Sequence, residues 1–210
     1  MFVYANSNQF NIEGFYFGFG SGFNITSNAN LIKTFSNDGV TVQSQNMGNV
    51  TGYSIPVTGY LGYRFNNYFS TEFTYVYSGN QDYTKPSNQT FEQSNFWGSQ
   101  NLYTINAVGY YPLLDNNLYL KGRIGVALAE DTMTTYIGSP GTGSFTSSLG
   151  IGLQYYIAKF ISLDLDYINY GLLVPAQLTY KPSISPPGPN LGVVDTVMNN
   201  QFLLSINLHF

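Results

Sequence analysis

Apolar side chains recur at every second position through eight segments of this chain, the period of a β-strand whose successive residues face opposite sides. The first, "GFYFGFGSGF", sets Phe15, Phe17, Phe19 and Phe23 against Gly14, Tyr16, Gly18, Gly20 and Gly22. In "YSIPVTGYLGYRF", Tyr53, Ile55, Val57, Leu61, Tyr63 and Phe65 oppose Ser54, Thr58, Tyr60, Gly62 and Arg64, with Pro56 expected at the loop end of the strand. Asn66 and Asn67 then lead into "YFSTEFTYVY", where Phe69, Phe73, Tyr75 and Tyr77 oppose Ser70, Glu72 and Thr74. The two strands read as a tight hairpin. The remaining strands are "NLYTINAVGYY", "LYLKGRIGVAL", "SSLGIGLQYY", "FISLDLDYINY" and "QFLLSINLHF".

The connections alternate in length. Long polar stretches are expected at 24–49, 78–100 and 129–144 and in the proline-rich segment before the last strand, while very short turns sit at Asn66–Asn67, at "PLLDNN" and at "IAK". Long loops on one side and short turns on the other are the layout of an outer-membrane barrel. The fold predicted is all-β: an eight-stranded antiparallel up-and-down transmembrane β-barrel with four long outer loops and three short periplasmic turns. One domain is expected over residues 1–210. Residues 1–10 form its N-terminal tail, where Val3 and Ala5 look like the end of a secretory signal. A strand crosses a bilayer in about 9–11 residues, so eight crossings leave ample chain for the loops.

Composition agrees. Charged residues are only 9% of the chain and aromatics 17%, against roughly 25% charged in soluble domains. The face opposite the apolar one is small or polar, as the interior of a narrow barrel requires. No apolar run is long enough for a membrane helix, which leaves a closed barrel as the spanning element. Seven Lys and Arg and a net charge of -4 argue against nucleic acid. With no Cys and one His, neither a disulfide framework nor a zinc site is expected, and no cofactor.

Two sets of site residues follow. Arg64, Glu72, Lys121, Arg123, Asp164 and Asp166 fall on the inward face, three of each sign, and are expected to form a salt-bridged lumen plug; a charged constriction in a narrow ion path is the alternative. Tyr63, Phe65, Tyr68, Phe69, Tyr110, Tyr111, Tyr155, Phe160 and Phe210, with Tyr156 beside them, cluster at the short turns and are expected to form an interfacial aromatic belt. His209 and the available Ser and Asp residues raise a lipid hydrolase, but His209 sits at the periplasmic end, away from the outer leaflet. Trp97 is expected to anchor at the outer interface.

"GFYFGFGSG", "YLGYRFNNYFSTEFTY", "VGYYPLLDNNLYLKGRIGVALAEDT" and "QFLLSINLHF" together resemble the eight-stranded barrel of outer membrane protein A and the opacity-type small surface barrels of Gram-negative bacteria. The resemblance implies a bacterial outer-membrane location, contact with outer-membrane lipid and lipopolysaccharide, and a terminal Phe210 read by the barrel assembly machinery. It also implies an interior charged gate. Glu72 matches its third-strand Glu, whereas the seventh strand carries Asp164 where the family has Arg. Outer membrane protein A continues into a peptidoglycan-binding domain, a tether not expected in a sequence ending at Phe210. The function expected is a non-enzymatic barrel whose loops recognise or adhere to a surface or host ligand; the alternatives are a narrow solute or ion pore and, last, an outer-leaflet lipid-modifying enzyme.

Overall fold

A computed structural model of the protein describes residues 13–28, 32–37, 40–46, 50–79, 81–84, 97–114, 117–134, 143–174, 176–180 and 190–210. Its thirteen strands are β1 (Gly14–Asn28), β2 (Ile32–Asn37), β3 (Val40–Asn46), β4 (Val50–Ser54), β5 (Val57–Asn66), β6 (Phe69–Tyr77), β7 (Gln81–Thr84), β8 (Trp97–Leu114), β9 (Leu118–Thr134), β10 (Ser144–Ala158), β11 (Ile161–Tyr170), β12 (Ala176–Tyr180) and β13 (Asn190–His209). Eight of them close a ring in the order β1, β5, β6, β8, β9, β10, β11, β13 and back to β1, every pair antiparallel. Closure leaves no free edge in the ring, which is the condition for a sheet to stand in lipid.

The registers fix its shape. From Gly62 the paired residues run through Glu72, Asn106, Gly125, Ser148, Tyr170, Asn199 and Thr26 and return at Gly52, ten positions from the start. Ten residues of about 3.3 Å over eight steps of about 4.8 Å incline the strands by about 40°. The same climb ranks every lumen residue by height above the short turns.

Alternation then sorts the side chains. Burial along β6 switches at every residue, Ser70, Glu72, Thr74 and Val76 in and Phe69, Thr71, Phe73, Tyr75 and Tyr77 out. Apolar residues cover the outside and the lumen is filled. Glycine makes that filling possible. Tyr16 lies over Gly62 and Tyr60 over Gly18, in directly paired positions of β1 and β5, so a Cβ on either glycine would collide with the facing ring.

The long-loop end holds more strand than the alternation predicts. The barrel wall runs beyond Pro56 into β4, which pairs with β1 and β7; β2 and β3 form a hairpin on β13, and β12 pairs with β13. The described residues within 24–49, 78–100 and 129–144 are therefore mostly sheet, because polar Asn, Ser and Thr positions pair through their backbone when a neighbouring strand extends above the ring. Pro56, expected at the loop end of its strand, instead lies at a short break between β4 and β5, both of which pair with β1, so the wall continues past it. Gly171, at φ 103, ends β11 and folds the chain back so that Ser147 accepts at its carbonyl from Gly171 N (3.0 Å) and at its Oγ from Leu173 N and Val174 N (3.0 and 3.1 Å). The tail 1–10 and residues 181–189 lie outside the described residues.

Gly62→Ala is expected to destabilise the barrel by about 1–3 kcal/mol, because Tyr16 has no room to move. Gly122 faces outward with open space around it, so Gly122→Ala should stay within about 0.5 kcal/mol. Urea unfolding in lipid vesicles checks the pair, and equal losses would contradict the Gly62 account.

Candidate functional site: the lumen charge network

Five charged side chains from three strands meet at mid-height in the lumen. On β9, Arg123 donates from Nη1 to Glu72 Oε1 on β6 (2.9 Å) and from Nη2 to Asp166 Oδ2 on β11 (2.9 Å). Lys121 donates to the same Asp166 oxygen (2.9 Å) and pairs with Asp164. The chain Glu72, Arg123, Asp166, Lys121, Asp164 alternates in sign, and each side chain is at most 2% exposed. Neutral donors complete it: Tyr16 OH and Thr74 Oγ1 reach Glu72 (3.2 and 3.1 Å), and Asn207 Nδ2 reaches Asp164 Oδ1 (2.7 Å).

The bridge from β9 to β11 crosses β10, and it can do so because β10 presents Gly150 and Gly152 at that level. A Cβ at Gly150 would meet the Arg123 stem at 2.6 Å, and one at Gly152 would collide with the Asp166 carboxylate. These two glycines are as much part of the site as the charges.

Arg64 departs from the expected plug. It lies in the lumen, fully buried, yet no carboxylate pairs with it among the described residues. The climb of the registers sets it below the network, against the short turns. There Nη1 donates to Gln154 Oε1 (2.9 Å) and Tyr156 OH (2.8 Å), Nε to Asn66 O (3.2 Å) and Nη2 to Asn67 O (2.8 Å). Its guanidinium stacks over Tyr110 at 3.8 Å. Three charges of each sign do occupy the lumen, but five form the network and the sixth seals the floor beneath it.

That floor corrects the aromatic set as well. Tyr110 and Tyr156 face inward, buried with Tyr16 and Tyr119 around Arg64, and Tyr110 OH meets Ser70 Oγ at 3.0 Å. Tyr63, Phe65, Tyr68, Phe69, Tyr111, Tyr155, Phe160 and Phe210 are all exposed on the outside near the short turns. A second outward group, Phe23, Tyr53, Tyr75, Tyr77, Tyr103, Tyr167 and Phe202, rings the other end, with stacked or tilted contacts such as Tyr75 on Tyr103. No single turn gathers its members in the sequence; they come together only through the pairing of strands, as Phe23 with Phe202 and Phe202 with Tyr167.

His209 caps the floor between Tyr16 and Tyr156, its Nε2 3.0 Å from Ser162 Oγ. Ser162 stands between His209 and Asp164, so the carboxylate does not orient the imidazole as a hydrolase triad needs. Trp97 opens β8 opposite Thr134, and its side chain lies outside the described residues. No group of three or more His, Asp or Glu side chains suited to a metal occurs among the described residues.

The profile of the outer membrane protein beta-barrel domain matches residues 4–210. The chain belongs to that family. Its location is accordingly the bacterial outer membrane, with the outward apolar band in contact with lipid. No curated protein matches the sequence. Among solved structures it is similar to the outer membrane protein OprG of Pseudomonas aeruginosa, at 13% identity over 96% of this chain and 99% of that one, TM-score 0.65. It is also similar to the outer membrane protein AlkL, determined by solid-state NMR in lipid bilayers, at 14% identity over 100% of this chain and 96% of that one, TM-score 0.66. At such identities the likeness is one of fold. In this family the short turns face the periplasm and the long connections the exterior.

Removing one partner of a buried pair leaves the other charge uncompensated, so Lys121→Met is expected to cost about 3–5 kcal/mol. Arg64→Met strands no carboxylate and should cost less. Equal losses in urea titrations of the two variants would contradict the division between network and floor.

Proposed function

We propose that this barrel is a non-conducting, non-enzymatic scaffold that strengthens the outer membrane and presents its long outer connections for recognition or adhesion. The observation that carries the reading is the continuous barrier across the lumen: the ion-pair chain in the middle, the Arg64 and tyrosine floor below it and, above it, Val76, Leu102, Ala127, Ala129, Ile168, Tyr170 and Leu203 packed together. An ion crossing it would have to break paired, buried charges in a low-dielectric interior. Binding then falls to the exterior end, where the rigid ring holds the connections and continues into β2, β3, β4, β7 and β12.

The outward aromatics near the short turns are well suited to the periplasmic interface of the outer membrane, where amphipathic rings gather. Phe210, stacked on Phe17 at 5.6 Å and exposed, is the feature we assign to the assembly machinery. Lipopolysaccharide is the expected neighbour on the outer leaflet.

Planar-bilayer recording of the purified, folded protein is expected to give no stepwise conductance. Reproducible unitary steps in the wild type, altered by Arg123→Ala, would overturn the reading and make the network a gate.

A further inference from the structure

Just after β11 the chain leaves the plane of the wall. Gly171 N donates to Ser147 O (3.0 Å) and Ser147 N donates to Val174 O (3.1 Å), so residues 171 and 174 share one place opposite Ser147 and 172–173 are looped out. Ser147 is on the outward face of β10, in phase with Phe145, Ile151 and Leu153. Its Oγ accepts from Leu173 N and Val174 N (3.0 and 3.1 Å), which puts the loop outside the barrel, strapped across the wall. Ser147 is accordingly only 7% exposed although it faces out.

The strap carries three aliphatic side chains in succession, Leu172, Leu173 and Val174, each 55–63% exposed, and Phe145 stands beside them on β10. Val126, paired with Ser147 from β9, is exposed too, and Ile151 and Leu165 carry the apolar surface on into the lipid-facing band below. Asn169, outward beneath the strap, is buried and donates to Asn200 Oδ1 (2.7 Å), so it offers that surface little polarity. The register climb sets Ser147 level with Phe23, Tyr77 and Tyr103 of the outer aromatic group, to within about 2 Å. The backbone of the strap suits that level. Three of its four N–H groups are bonded to Ser147, and Val174 O also accepts from Thr146 Oγ1 (2.7 Å). Irregular chain in water can leave such groups to solvent, whereas chain in contact with hydrocarbon must have them satisfied by the protein.

We propose that the strap 171–174 is an acyl-chain anchor: Leu172, Leu173 and Val174, with Phe145, insert among the chains of the outer leaflet at the level where aromatic rings hold the rest of the wall. Continuity with the lipid-facing band is what selects lipid as the occupant. Ser147 is the positioning residue, since its side chain and backbone together make a bend that hydrocarbon tolerates. The anchor goes beyond the scaffold reading and holds whether or not the lumen conducts.

Trp97 is the chain's single tryptophan, so Trp97→Phe gives a dark background. In it, Leu172→Trp and Leu173→Trp report on the strap and Ile151→Trp on the lipid-facing wall below, each checked for folding by circular dichroism. Emission is compared in phosphatidylcholine vesicles with and without phosphatidylcholine brominated along its acyl chains, and with aqueous iodide as a second quencher. Apolar groups at an interface reach about 5–10 Å into the headgroup and acyl boundary, so brominated chains are expected to dim the strap tryptophans at least about half as strongly as Ile151→Trp. Iodide is expected to do little. If brominated chains dim neither strap tryptophan, the proposal is overturned, and iodide then tells where the strap lies: in water if it dims them, under protein such as a second copy of the chain if it does not.

Discussion

Everything in this barrel depends on one arrangement: positive side chains of β9 reaching over two glycines of β10 to carboxylates of β11, and on the other side to Glu72 of β6. An eight-stranded ring has an interior wide enough only for side chains to fill. Any charge placed there is forced into contact with its counterparts or left without solvent. Alternating sign along the chain meets that constraint, and glycine at Gly150 and Gly152 gives the side chains their path. The network thus ties together β6, β9 and β11, which do not neighbour one another around the ring.

Around it the lumen is layered. A floor of Tyr16, Tyr110, Tyr119, Tyr156 and His209 encloses Arg64, and an apolar group centred on Leu102, Ile168 and Leu203 stands above the charges. Low dielectric on both sides strengthens the ion pairs and makes each unpaired polar atom costly. Sealing and rigidity therefore have the same origin. On the proposed reading, a barrel held shut in this way presents its exterior end, which relates the filled lumen to the sheet extensions at the long connections.

How much of this could be read from the sequence depends on whether a property is set by parity or by height. Parity fixes the face: Phe15, Phe17 and Phe19 outward, and Glu72, Lys121, Arg123, Asp164 and Asp166 inward, follow from the two-residue period alone. Height is fixed by the register climb of ten residues around the ring, which no single strand records. Arg64 has the right parity and the wrong height for the network. Tyr110 and Tyr111 show a different limit: two adjacent tyrosines must face opposite sides, and "NLYTINAVGYY" has similar residues on both faces, so its phase is set by pairing with β6 and β9. The glycines of "SSLGIGLQYY" were legible as small, but their purpose appears only with Arg123 and Asp166 beside them.

The most direct test is a double-mutant cycle on Arg123 and Glu72, with Arg123→Ala, Glu72→Ala and the double variant unfolded by urea in lipid vesicles. A coupling of about 2 kcal/mol or more between the two sites is predicted, since each side chain is buried against the other. Effects that add to within about 0.5 kcal/mol would show that the pair does not hold the lumen together, and would contradict the account.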